Sequence, residues 1–174
     1  MSDRVRERAE PGTRAQPAAS GRVEGIFIAE DAAGPMTGLA RVHAVPGVGF
    51  EGDRYAAGAG TWSKGKDPTG RQVTLVQAEA LEALRERGMD VELDASRRNV
   101  VTRGVLLNDL VGVRFRVGPV ELVGVRRCDP CMHMERLSGV PGIMDGLEGR
   151  GGLRADILTE GDITVGDPIE VPEA

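Results

Sequence analysis

The chain has 174 residues, a formal net charge of −5 and only 3% aromatic side chains. That length suits one domain with a core of its own, and no apolar run approaches the ~20 residues of a membrane span. A net-negative chain with few aromatics lacks the clustered positive charge and the stacking rings that nucleic acid requires. These features predict a soluble, cytoplasmic protein with a small-molecule ligand and with neither a membrane nor a nucleic acid as partner.

Residues 1–20 are polar, carry Pro11 and Pro17, and show no hydrophobic period. With Asp3, Glu7 and Glu10 and no apolar stretch behind the basic residues, they are neither a transit peptide nor a secretory signal. They predict a disordered tail before a single domain over 21–174. Residues 22–28 and 40–45 read as strands, separated by a loop with a Gly34-Pro35 turn. Gly47 to Tyr55 joins glycines, an Asp-Arg pair and an aromatic, then runs into a glycine-rich loop to Gly70. That composition suits either a binding rim, with 56–70 lining a substrate mouth, or a hairpin whose glycines serve the turn alone.

Residues 71–76 predict a strand feeding a helix over 77–87, with Ala78, Leu81 and Leu84 on one face and Gly88 to end it. Asp94 to Asn99 is a turn whose adjacent arginines are placed either to hold an anion or simply to sit in water. Further strands follow over 100–102, 113–117, 120–127 and 153–158, with a closing strand–turn–strand over 161–171. Short helical turns fall near 106–111, 132–137 and 143–147. Many short strands with few helices predict a mostly β architecture, a closed or partly closed β-barrel rather than a doubly wound sheet.

Cys128 and Cys131, the only cysteines, sit between the 120–127 strand and the 132–137 helix. A helix entrance and the preceding Arg126 and Arg127 both favour a thiolate. Four chemistries compete for such a pair. A thioredoxin-like dithiol matches the spacing but lacks the surrounding β-α-β pattern. A structural zinc needs two further ligands, and His133 is the only one nearby. Two buried core cysteines are common elsewhere, although Asp129, Pro130 and the arginines argue against full burial here. The last is a single thiolate serving a soft metal or carrying sulfur.

Six motifs in order resemble the MOSC domain, the molybdenum cofactor sulfurase C-terminal domain, in its stand-alone bacterial form. They are Gly52-Asp53-Arg54, Gly70 to Leu75, Arg97-Arg98-Asn99 running to Gly104, Leu107 to Gly112, Cys128-Asp129-Pro130-Cys131 and Val165-Gly166-Asp167-Pro168. The resemblance covers about residues 21–171. It implies a MOSC-like β-barrel that binds a molybdopterin-type molybdenum cofactor. It also implies that Cys131 is the catalytic thiolate and metal ligand, and that Arg54, Arg97, Asn99 and, as a further addition, Arg71 hold the cofactor. The implied activity is an oxidoreductase that reduces N-hydroxylated compounds such as hydroxylaminopurines or amidoximes. The alternative is a sulfur-carrier (persulfide) or cofactor-binding module in metal–sulfur or molybdenum cofactor assembly. The sulfurases proper carry a pyridoxal-phosphate domain for which this chain has no room, and its two lysines, Lys64 and Lys66, sit in a loop. Pyridoxal phosphate is therefore not expected. Electrons would come from a separate flavin or iron–sulfur protein.

Overall fold

The period-two alternation of the sequence closes on itself as a barrel. The computed structural model describes residues 19–173. Among them, in chain order, are strands β1 (Ala19–Ile28), β2 (Thr37–Gly38), β3 (Arg41–Val45), β4 (Gly49–Phe50), β5 (Val73–Gln77) and β6 (Val100–Arg103). After a 3-10 turn at Leu107–Leu110 come β7 (Arg114–Val117), β8 (Val120–Arg127), β9 (Leu153–Ile157), β10 (Gly161–Thr164) and β11 (Pro168–Glu170). Three short helices interrupt them: α1 (Ala78–Glu86), α2 (Met132–Ser138) and α3 (Ile143–Gly146). The expected tail falls on residues 1–18, outside the described residues, and on Ala19 and Ser20, which form the start of β1. No helix among the described residues is long and apolar enough to cross a membrane.

Seven strands bond in the order β11-β7-β8-β9-β5-β6-β1, and β11 pairs back onto β1. The expected mostly β fold is thus a fully closed seven-stranded barrel. Closure removes the unpaired edges that an open sheet exposes. β1 makes it possible by its length: Gly21 and Arg22 face β11, Val23 to Ile26 face β6, and Phe27 and Ile28 face the short β2. β5 and β6 are the one parallel pair among the named strands, and α1 lies in the connection between them, as a parallel pair requires a crossover.

Side-chain alternation divides the apolar residues into two layers. Ile26, Leu75, Val100, Phe115, Leu122 and Leu153 fill the barrel interior. Their neighbours Val76 and Val101 face outward and are buried beneath Leu81 and Leu84 of α1, Met134 of α2, and Ile143 and Leu147 at α3. β5 is therefore covered on both faces, which is why Val73, Thr74, Leu75 and Val76 are all buried without the inside–outside alternation of a half-exposed strand. A second sheet, β10-β3-β4, adds Val42, Ala44, Phe50 and Ile163 to the same interior. β2 and β4 were not legible as strands because each is only two residues long.

At Gly124 of β8 a close approach decides the residue. A Cβ there would run into the backbone carbonyl of Leu110, because the 3-10 turn docks against β8 through Gly112 N–H to Gly124 O (2.8 Å) and Gly124 N–H to Val113 O (3.0 Å). Gly124→Ala should destabilise the fold by about 1–3 kcal/mol, the usual cost of overpacking against backbone, which thermal unfolding will show.

His43 of β3 faces Asp162 of β10. Its Nδ1 lies 2.6 Å from Asp162 Oδ1 and its Nε2 2.8 Å from Glu160 Oε1. Only imidazolium can donate from both nitrogens. The hydrogen bond to Glu160 first, and that to Asp162 next, hold its pKa above the ordinary 6.5. A folded-state pKa above the unfolded one means that the bridge contributes fully below about pH 6.5 and loses its contribution as pH rises through the folded value. The stability gap between wild type and His43→Gln should therefore be widest near pH 6 and close at higher pH. A gap that does not change with pH would show that the ring contributes packing alone.

Candidate functional site: a cysteine in an arginine-lined cleft

A tight turn after β4 starts the site. Gly52 takes a left-handed φ of 86°, Asp53 N–H donates to Phe50 O at 3.0 Å, and Arg54 N–H reaches across to Ala29 O at 2.7 Å, just beyond β1. Asp53 points inward and is only 1% exposed. Its carboxylate accepts from Ala29 N–H, Tyr55 N–H and the Arg54 guanidinium, each at 3.1 Å, and from the Asn99 side-chain amide at 3.4 Å. Arg54 lies over the Tyr55 ring, 5.0 Å from its centroid, a cation–π contact that leaves the guanidinium fixed in place.

The turn before β6 supplies the next wall, and its three consecutive residues point in three directions. Arg97 has a φ of 58°, the only left-handed non-glycine among the described residues. Strain of that kind costs about 1–3 kcal/mol and collects at functional sites. Its guanidinium donates to Gly34 O (2.9 Å) and Ala32 O (3.3 Å) and faces the cleft. Burial first, and the Arg54 charge second, hold it below its ordinary pKa. Arg98 is buried and donates to three backbone carbonyls, Gly151 (2.9 Å), Cys128 (3.2 Å) and Asp129 (3.3 Å). Asn99 turns inward: its Oδ1 accepts from Thr74 N–H and Thr74 Oγ1–H, both at 3.1 Å, and its amide donates to Phe27 O at 3.1 Å and to Asp53.

The cysteine loop, between β8 and α2, lies against Gly151 and Gly152. Cys128 N–H donates to Gly152 O at 2.8 Å, and a Cβ on Gly151 would strike Cys128 O and Pro130. Cys128 is 1% exposed, whereas Cys131 is half-buried and lines the cleft. The expectation that neither cysteine is fully buried thus holds for Cys131 and is corrected for Cys128, which the Gly151–Gly152 backbone and the Arg98 bonds cover. Opposite Cys131, Thr61 Oγ1 lies 3.3 Å from His133 Nε2 and joins the 56–70 segment to α2.

Three of the expected side chains, Arg54, Arg97 and Cys131, thus converge on one cleft although 77 positions separate the first from the last. Arg71 does not join them: it donates to Ser63 O at 2.8 Å and lines the clefts on either side of the 56–70 segment. Asn99 does not line it either, because Thr74, Phe27 and Asp53 occupy its amide, which braces the cleft from behind. Arg126 is drawn away from the cysteines to Thr69 O and Asp67. The sequence reading named Arg98 and Asp53 within their motifs without giving either a role of its own, and it missed Arg154; Arg98 and Arg154 line the cleft and Asp53 is buried beneath it. For Arg98 the available signal was the Arg-Arg pair itself, but pairing does not say which partner faces a ligand. Arg154 sits at an outward strand position, where a charge is ordinarily a solvated one.

Four arginines line this cleft, of which Arg98 has its guanidinium turned to the backbone carbonyls of the cysteine loop, and Asp129 is the one carboxylate in its wall. The class of protein so defined is a closed β-barrel with an accessible thiol in a cation-lined, anion-seeking cleft. The family model described as MOSC domain matches residues 41–170, and the chain belongs to that family, which is associated with molybdenum cofactor binding. Among solved structures it is similar to the YUAD protein of Bacillus subtilis, at 20% identity and a TM-score of 0.72, covering 87% of this chain and 94% of that one. It is also similar to YiiM from Escherichia coli, at 17% identity and a TM-score of 0.62, covering 88% and 70%. YiiM from Geobacillus stearothermophilus gives 18% and 0.60, covering 89% and 74%. At these identities the likeness establishes the shared fold. No curated protein matches the sequence.

Removing the Arg98 guanidinium leaves buried carbonyls without their donor. Arg98→Ala should lower stability by roughly 3 kcal/mol, since each buried group stripped of its partner costs about 1–3 kcal/mol. It should also expose the second thiol. Under native conditions a colorimetric thiol reagent should titrate Cys131 alone in the wild type and both cysteines in the variant.

Proposed function

We propose that the protein is a molybdenum-cofactor oxidoreductase that reduces N-hydroxylated compounds, with Cys131 Sγ as the protein ligand to molybdenum. The observation that carries this reading is the half-buried Cys131 thiol in a cleft shared with the largely buried Arg54 and Arg97. Two buried guanidinium groups that repel each other store an unfavourable interaction that an anion between them relieves. A phosphate-bearing cofactor with a soft metal answers both features, because thiolate is the ligand type that such metals select.

The donor set fits one protein thiolate rather than a protein-made metal cage. Among the described residues no group of three or more His, Cys, Asp and Glu side chains is placed to hold a metal ion. The space between the walls is about 60 Å³, enough for a phosphate-sized group. Tyr55 also forms part of a wider neighbouring cleft of about 430 Å³, which Arg71 lines, and the larger pterin has room there.

When bound, the cofactor supplies two-electron chemistry that removes oxygen from the substrate, with electrons delivered by a separate flavin or iron–sulfur protein in the cytoplasm. The chain's own part is positional and electrostatic. Arg54 and Arg97 neutralise the anion, each already fixed by Asp53 or by backbone carbonyls. Arg98 holds the backbone of the cysteine loop, so Cys131 Sγ is presented from a rigid base. Thr61 and His133, both in the cleft wall, tie the 56–70 segment to α2 through their hydrogen bond.

Purification from a host competent in molybdopterin synthesis should give molybdenum bound to the chain. Cys131→Ser should lose both bound molybdenum and reduction of a hydroxylamine substrate, because a serine hydroxyl is a harder ligand. Cys128→Ser should weaken activity by about 10–100-fold, as expected of a group that supports a ligand without contacting the metal. Full activity in Cys131→Ser would overturn the assignment. A persulfide on Cys131 without bound molybdenum would favour the sulfur-carrier alternative instead.

A further inference from the structure

A second and wider cleft, of about 440 Å³, adjoins the first. Thr61, Trp62 and Arg154 form part of the walls of both. The remaining charged lining is Lys66, Asp67, Arg71 and Arg126. Four cations and one carboxylate give this cleft the opposite sign from the chain as a whole, whose net charge is −5.

These cations are only partly occupied by the protein itself. Arg126 donates to Thr69 O at 3.0 Å and lies 3.6 Å from Asp67. Arg71 uses one nitrogen on Ser63 O. Lys66 and Arg154 make no side-chain hydrogen bond or ion pair among the described residues. Arg154 also contributes to the cysteine cleft, so an anion that it holds lies beside the first site.

Trp62 adds an independent feature. It is the single tryptophan of the chain, and in a protein with 3% aromatics it is left 52% exposed between two cation-lined clefts. A large ring held at the surface by its neighbours' bonds, Thr61 to His133 and Arg71 to Ser63, offers an apolar face to a flat ligand at little further entropy cost. An inorganic anion would use the cations alone, and an uncharged aromatic would use the indole alone.

We propose that this second cleft is a binding subsite for a nucleoside monophosphate, with the base stacked on Trp62 and the phosphate held by Lys66 and Arg154, supported by Arg71 and Arg126. Base–aromatic stacking and charge-assisted phosphate contacts are the two interactions that such a wall supplies. The chemistry has two possible sources: an N-hydroxylated nucleobase presented as its nucleotide, or a nucleotide attached to the bound cofactor. The proposal rests on the molybdenum reading only for the direction of the reacting end, towards Cys131. The binding chemistry stands apart from it.

Trp62 reports on its own subsite. The full chain, produced in a host that makes no molybdenum cofactor, is titrated with AMP, adenosine and inorganic phosphate while tryptophan fluorescence is followed. AMP should quench saturably and bind at least about tenfold more tightly than either of the others, since it alone uses both features, and every 1.4 kcal/mol is tenfold. Raised salt should weaken it. Arg154→Gln and Lys66→Gln should each weaken AMP about tenfold, the loss of one charged hydrogen bond. Trp62→Leu, followed by calorimetry, should bind AMP no better than phosphate. AMP binding no tighter than inorganic phosphate in the wild type, or affinities unchanged in both charge variants, would overturn the proposal. Because this protein carries no cofactor, such a failure leaves the molybdenum reading intact, and a chain that binds AMP but takes up no molybdenum when made in a molybdopterin-competent host overturns that reading alone. Acid hydrolysis of the loaded protein then separates the sources. Released nucleotide identifies the cofactor's tail, whereas no nucleotide together with undiminished AMP binding identifies the substrate.

Discussion

Everything at the cleft depends on one buried carboxylate. Asp53 is almost wholly out of water, a position that costs a charge several kcal/mol unless it is paired and hydrogen-bonded. It is both. Its four donors come from the end of β1, from its own turn and from the entry to β6, so a single side chain ties together three pieces of backbone with no covalent reason to meet. Arg54 is aimed by that carboxylate, and Asn99 is oriented by it from the other side. The cost of burying the charge is offset by precise placement of the cations around it.

The Arg97-Arg98-Asn99 turn shows how much work three adjacent residues can divide. With its left-handed backbone Arg97 lines the cleft, Arg98 runs beneath the cysteine loop, and Asn99 locks the turn to Thr74 on β5. A regular strand, whose side chains alternate between two faces, could not send three consecutive ones in such directions. The strain is carried where the surrounding structure over-determines it, between the parallel strands β5 and β6 and under the helix layer.

Period and punctuation made much of the fold legible. The strand over 120–127 matches β8 residue for residue, and the apolar face of α1 is the one its spacing indicates. Convergence of Arg54, Arg97 and Cys131 was legible only through the order of motifs, because no local pattern encodes which turns meet in a barrel. What stayed hidden was direction and cover. The burial of Cys128 is produced by Gly151 and Gly152, more than twenty positions later. The inward turn of Asn99 depends on Thr74, Phe27 and Asp53, each from a different segment. Arg154 reads from sequence as an outward charge on a strand and acquires a cleft only when the 56–70 segment lies across it.

The way the barrel closes also orders its assembly. β1 can pair with β6 once residue 103 has been made, but its other neighbour, β11, begins only at Pro168. On the ribosome, therefore, every residue of the cysteine cleft emerges before the last staves of the cylinder can join. A topology whose two outermost strands are also partners has high contact order, and such chains fold on the millisecond-to-second scale rather than in microseconds. Until β11 arrives, the first half of β1 and the edge of β7 are left as open strand templates, so β11 acts as the latch that shields the nascent sheet from its neighbours.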